Sequence, residues 1–408
     1  MIRSLRTGVA GLKSHQVRMD VTGNNIANVN TTAYKRGRAT FNEMLGQQLL
    51  GVGRTAGGSG VNPSSIGLGV GVNSISNDWA QGSLEQTNIA HDLALNGDGF
   101  FIVRSGDRNM LTRAGNFTFG SDGNLVTNDG LPVQGYGYDA NGDVDMSHLQ
   151  DIKINWASQA PPKATENVTV GGNMNPDSEE GKKVQISSVV HDEQGKPHNA
   201  VIEYTKSATP NEWDYVVKYG GDLVPPPFDN LSGTLSFDID GTLISPTEHT
   251  LTWAPEYVSG GETITIDLQN VTQFEGSSTA TVRNQDGFAS GQLIGYSIDP
   301  RGILVLNYSN GEQEELFQLG IGGITNPNGL EQLGENFYGV TQASGDLILG
   351  RAGREVQTAV VSGALEQSNV DLATEFTEMI IAQRGYQASA RVITTSDELL
   401  QETVNLKR

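Results

Sequence analysis

GALEQSN, residues 363–369, repeats GSLEQTN, residues 82–88, almost letter for letter across a separation of 281 residues. The first copy stands in a Gly-rich, strand-like region. The second opens onto the last helix-like stretch of the chain. A phrase written at two matching junctions implies equivalent contacts. The chain would enter a strand domain through one copy and leave it through the other. Leu84, Glu85, Gln86, Leu365, Glu366, Gln367 and Asn369 are therefore candidate domain-junction residues.

Outward from the junctions lie the termini. Ile2, Leu5, Val9, Leu12, Gln16, Met19 and Ile26 follow an alternating three/four spacing, with Gly23 in the skipped place. This is a heptad seam. A helix over residues 2–27 would be roughly 40 Å long. TGNNIANVNTTAYKRG (22–37) supplies the turn chemistry that ends it. Near the other end, Leu372, Phe376, Met379, Gln383, Tyr386, Ala390, Ile393, Asp397, Leu400 and Val404 repeat the spacing, with Ser368, Asn369 or Asp371 available as cap. A long heptad helix must bury its seam, and the only comparable seam is at the opposite terminus. The two are expected to form a coiled coil. Gln16, Gln383 and Asp397 make that pair marginal, so neighbouring subunits would complete it.

Between the termini the chain reads as β structure. It has 51 Gly in 408 residues, 36% hydrophobic content and 18% charged content, the composition of a turn-rich β protein. Alternating segments such as LALNGDGFFIV, KVQISSVVHD and GILVLNYSNGE are punctuated by Gly/Asn turns and a PPP run at 225–227. The expected class is mainly β with a terminal helical pair, nested in several domains. Residues 1–30 and 365–408 form the helical coiled coil. Residues 31–74 form a connector, Gly-rich from 51 and without the GK[ST] of a phosphate loop. Residues 75–145 and 286–364 form a discontinuous β domain, and 146–285 an inserted outer β domain.

Net charge is −21. Residues 1–38 carry seven Lys/Arg against Asp20 alone, and residues 365–408 carry four Lys/Arg against seven Asp/Glu. Such a balance argues against a nucleic-acid partner. No run approaches the ~18 apolar residues of a membrane span. Arg3, Arg6 and Lys13 interrupt any apolar signal core, so export is expected by a route without a cleaved signal. The absence of cysteine excludes disulfides, thiolate nucleophiles and Cys-bound metal.

Catalytic and metal motifs are missing. The six histidines show no HExxH, and the nearest pair, His191 and His198, flanks a Gly-Lys-Pro turn. Asp139-Ala-Asn141-Gly-Asp143-Val-Asp145 resembles a calcium ladder but has Val144 where the sixth-position Gly belongs and Gln150 where the twelfth-position Glu belongs. It reads as a solvated turn, and Asp238-Ile-Asp240-Gly241 as a hairpin turn. There is no GxSxG. No enzyme, metal or cofactor is expected.

NNIANVNTTAYKRG (24–37), LNGDGFFIV (95–103) and Arg113-Ala-Gly-Asn-Phe117 resemble the N-terminal signature of bacterial flagellar rod and hook proteins. GALEQSNVDLATEFTEMIIAQRGYQASARVITTSDELLQETVNL (363–406) is similar to the matching C-terminal signature. TQFEGSSTATVRNQDGFASGQLIGYSIDPRGILVLNYSNGE (272–312) is similar to a part found in the hook branch of the family. The resemblance implies a structural subunit of a helical homopolymer: a curved, flexible tube that joins rod to filament and encloses an export channel. It implies export by the flagellar type III apparatus to a place outside the cell. Partners would be other copies, a hook cap, distal rod proteins and hook–filament junction proteins. The implied polymer and coiled-coil residues are Leu5, Val9, Leu12, Met19, Asn24, Asn25, Ile26, Asn28, Leu372, Phe376, Met379, Tyr386, Ile393 and Leu400. A distal rod-type protein with an insertion, or a surface adhesin, is the alternative reading.

Overall fold

Two helices bracket the chain. They are α1, Ile2–Ala27, and α2, Leu372–Asn405. The computed structural model describes residues 2–44, 46–50, 53–54, 60–61, 64–139, 142–219, 232–254, 258 and 263–405. The PPP run and part of the Gly-rich connector lie outside them. The chain divides into two units. One comprises residues 1–154, 297–305 and 315–408, the other 155–296 and 306–314.

In the first unit α1 and α2 run antiparallel, with Ser4 beside Ser396, Gly8 beside Ile393, Gly11 beside Ser389 and His15 beside Gly385. Asp371 caps α2: the Ala373 N–H donates to its Oδ1 at 3.0 Å and Thr374 Oγ1 donates to its Oδ2 at 2.7 Å. These bonds hold the Asp371 carboxyl below its ordinary pKa, the Thr374 hydroxyl contributing most. Asn28 ends α1 by returning its side-chain amide to the Asn24 carbonyl at 2.9 Å.

The connector is more ordered at its ends than its glycines suggest. The strand Gly37–Glu43 pairs antiparallel with Val70–Asn77, from Gly37↔Asn77 to Glu43↔Val70. The ribbon lies along α1, where Gly69 packs against Ala10 and Ser14 Oγ reaches the Val70 carbonyl at 3.5 Å. The sequence reading places the first strands at about residue 75. It misses this ribbon because the partners are far apart in the chain.

The β part of this unit is stitched across its long insertion. Leu93–Gly97 pairs with Thr358–Ser362, Leu93 opposite Ser362. A six-stranded sheet has the order Glu331–Gly334, Phe337–Gly339, Arg108–Thr112, Phe100–Ser105, Ile321–Ile324, Leu347–Gly350. Leu93, Leu95, Phe101, Ile102, Val103 and Leu111 are fully buried. Residues to 154 stay with this unit, beyond the expected boundary at 145. Ile152 and Ile154 are buried, and their backbones bond Leu125 and Gly123.

The second unit has its own core. An antiparallel meander of five strands runs Lys183–His191, Pro197–Lys206, Glu212–Tyr219, Ser232–Phe237 and Leu243–Ser245. A four-stranded sheet has the order Glu248–Thr252, Thr263–Thr272, Asn167–Asn173, Thr281–Gln285, its middle pair parallel. Trp213, Trp253, Tyr204, Ile264 and Leu268 are buried together. Alternate residues of Lys183–His191 point inward, the period-2 pattern of a half-buried strand.

Asp192–Lys196 and Asp238–Gly241 are turns, while Ala140 and Asn141 of the Asp139–Asp145 motif lie outside the described residues. Asp192 Oδ1 accepts the Gln194 and Lys196 N–H groups, and its Oδ2 meets His198 Nε2 at 2.9 Å. Asp139 Oδ1 accepts the Asp143 N–H at 2.9 Å. The Gly241 N–H closes on the Asp238 carbonyl at 2.9 Å.

His249 is buried against Tyr215, ring centroids 3.8 Å apart, and burial pushes its pKa down to about 4. The unfolded chain therefore takes up this proton near pH 6.5 and the folded chain only near pH 4. Stability should be full above pH 6.5 and fall toward pH 4. Melting followed by near-UV circular dichroism should show that fall, and His249→Phe should flatten it between pH 6.5 and 4.5. An unchanged slope would assign the effect elsewhere.

Candidate functional site

The two copies of the repeated phrase pair with each other. Leu84–Gln86 runs antiparallel to Ala364–Glu366, with Leu84 opposite Glu366, Glu85 opposite Leu365 and Gln86 opposite Ala364. The register maps the phrase onto itself: Leu84 faces Glu366 as Leu365 faces Glu85. The ribbon continues through Gln367 N–H to the Ser83 carbonyl and Thr87 N–H to the Gly363 carbonyl, both 2.8 Å. A Cβ on Gly82 would stand 2.0 Å from the Gln367 carbonyl oxygen, so that crossing admits only glycine.

The surroundings of the two copies differ. Glu85 is exposed and accepts Gln367 Nε2 at 2.7 Å. Glu366 is buried and accepts Lys35 Nζ at 2.6 Å, the Gly82 N–H at 2.9 Å and Arg113 Nη1 at 3.4 Å. Lys35 also donates to the Ala80 carbonyl at 3.0 Å, and Arg113 to the Gly97 carbonyl at 2.8 Å. The Arg113 guanidinium lies over the Phe100 ring. Side-chain exposure is 1% for Lys35 and 0% for Glu366. Burial pushes the Lys35 ammonium pKa down, against the opposing pull of Glu366. The Glu366 carbonyl accepts the N–H of Ala33, which is held at φ 58°. Asn369 ties the same layer, accepting the Arg36 N–H at 2.8 Å and donating to the carbonyls of Asp78 and Ala80.

A second polar layer joins the junction to the helices. Buried Glu375, in the first turn of α2, takes Arg36 and Asn25 Nδ2. Asn25 bonds both backbone groups of Gly37 at 2.8 Å and accepts the Tyr34 hydroxyl at 3.2 Å. Burial, then Glu375, raises the Tyr34 pKa. Arg18 pairs with Glu378 at 2.5 Å.

Beyond this layer the helices touch through small residues. A Cβ on Gly8 would lie 2.9 Å from Ile393, one on Gly11 2.8 Å from Ser389 Oγ, and one on Gly385 2.3 Å from the His15 ring. Ser4, Gly8, Gly11, His15, Arg18, Thr22 and Asn25 form the α1 side, and Glu375, Glu378, Ala382, Gly385, Ser389, Ile393 and Ser396 the α2 side. This seam also has three/four spacing, but it lies one residue before the apolar seam read from the sequence. Leu5, Leu12, Met19, Ile26, Asn28, Met379 and Leu400 are half-buried beside it, and Ile393, common to both seams, is half-buried within it. Val9, Asn24, Leu372, Phe376 and Tyr386 are exposed, while Asn25 is buried. Sequence reasoning assigns a site role to Glu366, Asn369 and Asn25; Lys35, Arg36, Arg113 and Glu375 fall inside the signature stretches without one. The missed signal for the seam was small residues at heptad spacing, which a search for apolar residues passes over.

Glu366→Gln should leave two buried cations without a counter-charge and cost about 3–5 kcal/mol. Glu85→Gln, at the same place in the other copy, should stay within about 0.5 kcal/mol. Urea unfolding measures both, and equal costs would remove the buried pair from its central place. Gly385→Ala should lower helical signal by pushing against His15, and His15→Ala in the same chain should restore it.

Family models match along the chain. They are Flagella basal body rod protein (residues 5–35), Flagellar hook protein FlgE/F/G D1 domain (94–173), Flagellar basal body protein FlaE D2 domain (155–288) and Flagellar basal body rod FlgEFG protein C-terminal (361–406). Flagellar hook protein FlgE of Borreliella burgdorferi is 36% identical and that of Treponema pallidum 34%, each alignment covering 100% of both chains. The Salmonella typhimurium protein of the same name is 31% identical over 99% of this chain and 100% of its own. The crystal structure of Helicobacter pylori flagellar hook protein FlgE2 shares the fold at TM-score 0.52 and 16% identity, covering 69% of this chain and 100% of that one. With identity above 30% over full length and each terminal signature matched, this chain belongs to the flagellar hook protein family.

Proposed function

We propose that this chain is the structural subunit of a bacterial flagellar hook, polymerising into a curved, flexible tube that carries torque from rod to filament and encloses an export channel. Flagellar hook proteins are structural, non-enzymatic subunits. The observation that carries the assembly reading is the helix pair. Contact through small residues leaves large apolar ones outside: Phe376 is 51% exposed, Ile380 58% and Val404 68%. A free monomer gains nothing from that stripe, whereas a neighbour covering it recovers the burial of several large side chains. The terminal helices would form the inner layer, the discontinuous β domain the middle layer and the insertion the outer one. Of the helix residues named from the sequence, the exposed ones, Val9, Asn24, Leu372, Phe376 and Tyr386, would make the contacts between copies. The phrase residues would set the junction between layers.

The remaining partners follow from the same role. They are a hook cap during growth, distal rod proteins at one end, hook–filament junction proteins at the other and the type III export apparatus. The place of work is the flagellum, outside the cell. No helix among the described residues is long and apolar enough to cross a membrane. The adhesin and rod-type alternatives fit less well, because full-length relatives carry the hook name and include the insertion.

Negative-stain electron microscopy of the purified chain should show tubes. The variant Phe376→Asp, Ile380→Asp should stay monomeric with near-UV spectra unchanged. Tubes from that variant would reject the outward stripe as the assembly surface.

A further inference from the structure

A groove of about 600 Å³ runs between α1 and the strand Val70–Asn77. Val9, Val17, Met44, Leu68, Val70 and Val72 line it. Val9, Met44, Leu68 and Val72 are all exposed, so the chain itself leaves this apolar surface uncovered. Arg6 and Lys13 also line the groove, and neither forms an ion pair among the described residues. The far end of α2 has the opposite character. With Ser4 beside Ser396, the turn after Leu400 extends past α1, and residues 401–405 are exposed throughout. This tip carries Asp397, Glu398 and Glu402, none of them in an ion pair among the described residues, and the exposed apolar residues Leu399 and Val404.

From this charge complementarity we propose that the groove receives the acidic tip of α2 from a second copy. The proposal rests on the assembly reading above and deepens it by naming which surface meets which. Leu399 and Val404 enter the apolar channel, and Glu398 and Glu402 meet Arg6 and Lys13 at its rim. Groove and tip are different surfaces of one chain. Each copy therefore offers one of each, and such a head-to-tail contact propagates instead of closing on a dimer.

The cysteine-free chain suits cross-linking. Full-length Met44→Cys carrying a tag is mixed with untagged Val404→Cys and oxidised mildly. Non-reducing gels should show the mixed dimer several-fold above either like-with-like dimer. Arg6→Glu, Lys13→Glu should suppress that dimer and raise the concentration needed for tubes about tenfold. Adding Glu398→Lys, Glu402→Lys should restore both, which also shows that the first variant was folded. Mixed and like dimers in equal amounts, or charge reversal without effect, would overturn the proposal. Tubes from the unsubstituted chain without the mixed dimer would reject the groove and leave the assembly reading standing. A mixed dimer without tubes would keep the contact and count against the tube.

Discussion

The junction between the two ends of this chain converges on one buried carboxylate. Glu366 is reached by Lys35 from the segment after α1, by the Gly82 N–H from the first phrase and by Arg113 from the β domain. Removing a carboxylate and an ammonium from water costs several kcal/mol each, and their attraction roughly repays it. Net stability is therefore not the main consequence. If the Lys35 or Arg113 stretch is misplaced, a buried charge loses its partner, and if the Gly82 stretch is misplaced, Glu366 loses a hydrogen bond. That penalty falls on every alternative register of the ribbon, and a ribbon whose two strands have nearly the same sequence needs such protection. Without it, Glu85 and Glu366 would be close to interchangeable.

The junction sets the helices, and the helices set the surface offered for assembly. Glu375 stands nine residues after Glu366 and locks the first turn of α2 to Arg36 and Asn25. From there the two helices approach over glycine, alanine and serine. A narrow seam of this kind buries little apolar area, so the pair gains little stability from itself. The same choice turns Phe376, Ile380 and Val392 outward. The stability withheld from the monomer becomes available only when copies meet, which ties folding of the ends to assembly.

The overall plan was legible in the sequence because its signals are periodic. Heptads marked both helices, alternation marked strands such as Lys183–His191, and the repeated phrase marked the junction. The details that escaped share one cause. Hydrophobic spacing reports which residues end up covered, not which element of the same chain covers them. The apolar stripe of α2 therefore reads as an intrachain seam, whereas apart from Ile393 the contact lies one residue before it. Likewise the phrase marks two matching junctions without saying that its copies pair with each other. Periodicity carries no information about which distant strand a strand will choose. The burial of Lys35 and Arg113, both inside signature stretches, is not legible for a related reason, since a lysine in a polar segment ordinarily lies in solvent.

The nested order also explains how a large insertion is carried at little thermodynamic cost. The pairing of Gly97 with Thr358 closes a loop of some 260 residues. Within the second unit Gln159 pairs with Gln292, which brings the two ends of the insertion together. Once that unit has folded on its own core, the loop still to be closed is about half as long. Loop entropy changes by only ~0.6 kcal/mol per doubling of length. Closure of the first unit is therefore nearly indifferent to what the insertion contains, provided its ends meet. The constraint on the chain falls instead on the short stretches around residues 33–37, 80–88, 113 and 363–375, where a single backbone crossing at Gly82 and a single carboxylate at Glu366 decide whether the two ends of the molecule find each other.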